Sequence, residues 1–212
     1  KFLQQAMRVK MRLKTLFCYS MLPLAFTHAA IAQLSDVEQG LISYIDTKHS
    51  EAIELLEKVV NINSGTQNFA GVTQIGEIFS EKFKALGMET QWIDGASWDR
   101  VGHLVAQKLN PNSSAPHLLL IGPLDTVFQI DSRFQSYQYL GDNIASELGI
   151  TDIKGGDVII LQALAALSDQ DLLDGMSMGA ANHYTINETG DLESIRIQAQ
   201  RTTVLIHRLS QN

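Results

Sequence analysis

Apolar residues recur at helical spacing in five stretches of the chain, and shorter β-forming runs lie between the third and the fourth. Ser35-Asp36-Val37-Glu38 is a capping-box pattern, and Leu41, Ile42 and Ile45 follow it on one helical face. A second helix is predicted from about Ser50 to Ile62, with Ile53, Leu56, Val59 and Val60 inward and Gly65 beyond its end. A third is predicted from Gly71 to Leu86, carrying Val72, Ile75, Phe79 and Phe83, with Gly87 placed to end it. Short strands at Glu89–Ile93 and Val101–Leu109 lead through a polar Asn/Pro/Ser loop into His117–Ile121. Phe128 to Ser146 is irregular and polar, and reads as surface loop. A strong helix is expected from Asp157 to about Ser168, with Val158, Ile159, Leu161, Leu164, Ala165 and Leu167.

After Leu173 the pattern changes. A strand–helix–strand unit should return through an apolar strand, but Asp174 to His183 is rich in Gly, Ala, Ser and Asn, which is loop chemistry. No returning strand is expected there. A closing amphipathic helix is expected from about Ser194 to Leu209, with Ile197, Arg201, Val204, Leu205 and Arg208 on one face.

The chain is organised around Leu118 to Val127. An uninterrupted apolar run, Leu118-Leu119-Leu120-Ile121, stops at Gly122, and Asp125 follows directly. Such a run reads as a central strand of a parallel sheet, and open α/β sheets place their chemistry just past a strand's carboxyl end. The fold class is therefore α/β, with Asp125 as the first candidate functional residue.

Composition changes this picture little. Hydrophobic residues make up 45% and charged residues 18%, so a packed core is the expectation. A net charge of −7 argues against a nucleic-acid partner or an anionic membrane surface. The N-terminus adds an address. Arg8, Lys10, Arg12 and Lys14 precede an apolar stretch from Leu16 to Phe26, and Ala30-Ile31-Ala32 follows. This is the layout of a secretory signal spanning residues 1–32, with the residues before Met11 read as lying upstream of the start. Pro23 and His28 interrupt the run, which is too short to span a bilayer comfortably. A periplasmic or secreted protein is expected, with no membrane association once the signal is removed. Cys18, the one cysteine, lies inside that leader, so a disulfide or thiolate site is not expected in the mature chain.

Pro123-Leu124-Asp125-Thr126-Val127 resembles the H-x-D-T-V segment of the two-zinc exopeptidases that include glutamate carboxypeptidase, acetylornithine deacetylase and aminoacylase. Ala52 to Gly65 and Leu86-Gly87 are similar to that family's opening helices, and Gly149 to Gly156 to its second metal motif. Asn182-His183-Tyr184 through Asp191-Leu192 is similar to its extreme C-terminus. The resemblance implies a three-layer zinc-exopeptidase catalytic domain, incomplete, with residues 33–178 as its N-terminal part and 179–212 as its C-terminal tail. A long central block, including the lid or dimerisation domain, is expected to be missing between Met178 and Gly179.

By that resemblance Asp152 corresponds to the carboxylate bridging two zinc ions, His183 to the histidine of one ion, and Asp125 to the acid that orients the other ion's histidine. Pro123 stands where that histidine is expected. Two-metal hydrolases hold their ions roughly 3.5–4 Å apart and generate hydroxide between them. The family's general base and a further ligand form a Glu-Glu pair, and this chain contains no such dipeptide. One carboxylate and one imidazole are too few for a zinc site, which takes three or four protein ligands.

The plainer readings stay open beside these. Asp125 serves equally as a turn residue, Asp152 as a cap of the helix that follows, and His183 as a surface histidine. Three functions follow. The chain is by descent a zinc exopeptidase or amidohydrolase acting on small peptides or N-acyl amino acids, inactive in this form. Otherwise it is a non-catalytic exported binding module, or a remnant without function. The signal reading has its own test: N-terminal sequencing of exported protein should begin at Gln33, and material beginning at Met7 or Met11 would refute it.

Overall fold

A computed structural model describes residues 34–112, 117–133, 136–146, 149–175, 178–181, 190–191 and 200. All of these belong to the unit that starts at Leu34. The predicted capping box is present. Ser35 Oγ accepts the Glu38 N–H at 3.2 Å, and the Glu38 carboxylate accepts the Ser35 N–H at 2.7 Å. It opens α1 (Asp36–Val60), which is one helix of 25 residues rather than the expected two. The reason is the buried stripe Leu41, Ile45, Ala52, Leu55, Leu56 and Val59, which runs without a break past Lys48-His49-Ser50. That polar trio reads as a boundary, yet Lys48 turns outward and pairs with Glu51 at 2.6 Å.

Asn68 caps α2 (Phe69–Ala85), its side-chain oxygen accepting the Gly71 N–H at 3.3 Å. The helix ends as predicted at Gly87, whose φ of +72° suits glycine. Gly87 N–H donates to the Lys84 carbonyl and Met88 N–H to the Phe83 carbonyl, with Met88 and Phe83 both buried. This is a Schellman ending with its apolar contact. It delivers the chain into β1 (Glu89–Asp94), which pairs antiparallel with β2 (Gly102–Lys108), and α2 packs on both.

β3 (Leu118–Ile121) is a strand as predicted but is not central. The four-stranded sheet has the order β1-β2-β6-β3, which puts β3 at an edge of the described sheet. Leu118 and Leu120 pack on the core, while Leu119 and Ile121 are 61% and 51% exposed. An apolar run records that both faces of a strand suit burial; it does not record which neighbours are present. The neighbour between β2 and β3 is also a correction, because the chain does return. α3 (Gly155–Asp169) crosses over and β6 (Met178–Ala181) runs parallel to β3, Leu118 opposite Met178 and Ile121 opposite Ala181. Two flanking strands with open hydrogen-bonding edges impose a strand on a Gly/Ala sequence of low β-propensity. Lys108 of β2 forms an ion pair with Asp174, and Asn110 Nδ2 donates to the Asp174 carbonyl at 2.8 Å, which steers the chain toward β6.

The segment expected to be surface loop contains a second small sheet. β4 (Gln138–Gly141) and β5 (Ile144–Ser146) form a hairpin, and β7 (Gly190–Asp191) adds to β5. Asp142 and Asn143 make its two-residue turn with φ of +49° and +61°, the positive pair that Asp and Asn tolerate. The helix predicted from Asp157 starts two residues earlier, preceded by a π-helical turn over Ile150–Lys154. The closing helix predicted over 194–209 lies outside the described residues except at Gln200, whose Nε2 donates to Asp46 of α1 at 2.7 Å.

The core lies between α1, α2, α3 and one face of the sheet, with Leu41, Leu56, Ile75, Phe79, Val158, Leu164 and Leu167 each at most 1% exposed. The continuity of α1 can be tested directly. Ser50→Pro should destabilise the protein by about 3 kcal/mol or more, because proline inside a helix removes a hydrogen bond and clashes with the preceding turn. Urea unfolding measures this; a neutral effect would mean that a new helix begins there.

Candidate functional site

Past the carboxyl end of β3 three segments meet: the turn Gly122–Val127, the loop Asn61–Asn68 between α1 and α2, and the π-helical turn Ile150–Lys154. The first two are joined as if by one rung of parallel sheet. Thr126 N–H donates to the Ser64 carbonyl at 2.9 Å, and Thr66 N–H donates to the Thr126 carbonyl at 3.0 Å. Asn63 extends the joint, its Nδ2 donating to the Phe128 and Gln129 carbonyls at 3.3 Å each while its Oδ1 accepts the Gly65 N–H at 3.1 Å. The third segment is tied in by Lys154. This lysine is 1% exposed, and its Nζ donates to the Ile62 carbonyl at 2.7 Å.

Asp125 sits half-buried in this junction. Its Oδ2 accepts the Thr66 hydroxyl at 2.8 Å, and the same hydroxyl lies 3.2 Å from the Thr126 carbonyl. The acid at the end of the strand is thus held by a side chain from the α1–α2 loop. Pro123, two residues earlier, is buried and offers no donor atom to a metal. Asp152 falls in the π-helical turn, but its side chain lies outside the described residues, as does His183. Of the three predicted site residues, the described geometry therefore shows the surroundings of Asp125 alone.

Thr66, Asn63 and Lys154 were not singled out by the sequence pattern. Asn63-Ser64-Gly65-Thr66 reads as the chain's exit from a helix ending at Ile62, and the reach of 59 positions from Thr66 to Asp125 has no local signature. Among the described residues, no three His, Cys, Asp or Glu side chains converge to hold a metal ion.

No protein-family model matches the chain. Carboxypeptidase G2 of Pseudomonas sp. (strain RS-16) is 31% identical over 146 residues, covering 68% of this chain and 34% of that protein. The chain belongs to the zinc exopeptidase family. Its fold agrees. Human carnosine dipeptidase 1 superimposes with a TM-score of 0.60 at 15% identity, over 69% of this chain and 34% of that one. The di-peptidase Dug1p of Saccharomyces cerevisiae gives 0.57 at 12% identity over the same shares, 69% and 34%. The M20 family metallo-carboxypeptidase Sso-CP2 of Sulfolobus solfataricus gives 0.51 at 16% identity, over 63% and 30%. The chain thus spans about a third of the length of these relatives, and its catalytic domain is incomplete relative to the family's.

The junction predicts a stability effect that needs no metal. Thr66→Val keeps the side-chain volume and removes the hydroxyl from Asp125, and should cost about 1.5–3 kcal/mol, the usual range for a hydrogen bond to a charged group. Chemical denaturation measures it; an unchanged unfolding midpoint would show that Asp125 is not held this way.

Proposed function

We propose that this chain descends from a two-zinc exopeptidase acting on small peptides or N-acyl amino acids, and that in its present form it does not hydrolyse them. Pro123 carries the reading. It is buried at the turn where the family resemblance calls for a histidine, and the acid that would orient that histidine, Asp125, accepts instead from Thr66. Proline supplies neither a ligand atom nor an N–H. The chain also lacks a Glu-Glu pair, so neither the general base nor the ligand beside it is supplied. A positioned base contributes about 10²–10⁴ in rate, and its loss alone would leave little turnover.

The peptide-directed part of the proposal draws on the relatives, which are named as a carboxypeptidase and dipeptidases. The internal loss of a central block near Met178–Gly179 is part of the same reading, and the chain's share of about a third of its relatives supports it. Export to the periplasm or medium is proposed from the leader pattern of residues 1–32. The alternative reading is a non-catalytic exported binding module or a remnant without function. A full-length neighbour encoded in the same genome would favour the remnant.

The expected outcome is zinc binding weaker than micromolar and no release of amino acid from N-acyl amino acids or from peptides ending in glutamate. Elemental analysis of purified protein and an amino-acid release assay measure these. Pro123→His should raise zinc affinity, because Asp125 could then orient the new imidazole, but should not restore turnover. Two tightly bound zinc ions with turnover in the unaltered chain would overturn the proposal. Acids outside the motif, Glu147 or Glu188, would then be the ligands to test.

A further inference from the structure

Asp157 stands in the first turn of α3, six per cent exposed. Its Oδ2 is buried and has no hydrogen-bond partner among the described residues. Its Oδ1 presses on Gly122 so closely that a Cβ at that glycine would come within 2.0 Å of it. The side chain lines a cavity of about 20 Å³ walled by Phe79, Phe83, Leu104, Leu124 and Ile160. That lining draws Phe79 and Phe83 from α2, Leu104 from β2, Gly122 and Leu124 from the turn after β3, and Ile160 from α3 itself. None of these titrates. The charged group that acts on Asp157 is Lys154, itself buried and donating to the Ile62 carbonyl at 2.7 Å.

We propose that Asp157 is a pH-responsive latch between α3 and the turn that carries Pro123 and Asp125. As a neutral acid it lets the first turn of α3 seat on Gly122; as a carboxylate it drives the two apart. The cavity offers an ionised carboxylate no hydrogen-bond donor to replace water, whereas the neutral acid is tolerated there. Burial accordingly pushes the Asp157 carboxyl well above the usual carboxylate range, and Lys154 opposes this without cancelling it. Gly122 is part of the device, since any side chain at 122 would occupy the place of the carboxyl oxygen.

The folded state holds this proton more tightly than the unfolded state, so the group's contribution is most favourable below the ordinary aspartate value of 3.8. Stability is then lost as pH rises from that value toward the higher folded one, and the loss levels off above it. Asp157→Asn keeps the shape and removes the charge. In the full chain it should raise the urea midpoint at neutral pH, and the gap between variant and parent should widen as pH increases. Amides of Gly122 and Leu124 in the parent, after correction for intrinsic base catalysis, should exchange faster at higher pH, and those of the variant should not. Parallel midpoint profiles for parent and variant would overturn the latch. The carboxyl ¹³C resonance of Asp157 in the parent gives a second measurement that does not depend on the variant folding. It should stay at its protonated position well above pH 3.8, and titration in the ordinary aspartate range would refute the proposal.

Discussion

The carboxyl end of β3 is held by a backbone joint, and much of the described structure takes its position from it. Thr126 both donates to Ser64 and accepts from Thr66, which fixes the end of α1 and the approach to α2 against the turn after the strand. From that register the side-chain ties follow. Thr66 comes within reach of Asp125, Asn63 spans to Phe128 and Gln129, and Ile62 presents its carbonyl to Lys154. Each of these joins residues 59 or more positions apart. Together they bring the two helices, the strand and the π-helical turn to one place before any functional group is considered.

Local patterns were legible where one stretch of chain carries its own instructions. The Ser35–Glu38 box and the Gly87 ending need only neighbours within a turn or two, and both are as the sequence implies. Misreadings arose where polarity on a helix's outer face imitated a boundary, as at Lys48-His49-Ser50. The heptad-like spacing of Ile45, Ala52 and Val59 outweighs it. The Asp142-Asn143 turn reads as loop because three- and four-residue strands carry too short an alternation to stand out. β6 lay beyond sequence reasoning for another reason. Gly179 and Ala180 become strand because β2 and β3 stand on either side of them, a property of the sheet rather than of the residues.

Buried charge shows the same limit at the site. Lys154 and Asp157 both lie near the start of a helix, where polar residues ordinarily face water and cap the backbone. Here both are buried, and no ion pair between them accounts for it: the lysine donates to a backbone carbonyl and the acid lies in a largely carbon-lined cavity. Only the packing of α2, β2 and the β3 turn around them makes this visible. Two glycines mark how tight that packing is, Gly65 against the Phe128 carbonyl and Gly122 against Asp157.

The same joint explains how the ancestry of the chain can be plain while its chemistry is not. In a domain that folds around its metal, losing a ligand residue removes folding free energy directly. The junction beyond β3 is built instead from hydrogen bonds between protein groups, and none of those named involves the side chain at position 123. Proline suits that place on backbone grounds, since the joint draws its N–H groups from Thr126 and Thr66. Under the proposed reading, exchanging an imidazole for a pyrrolidine ring at 123 would remove a ligand without dismantling the turn that presented it. Thr66 gives the Asp125 side chain a donor from the α1–α2 loop, the part that reading would otherwise give to the imidazole.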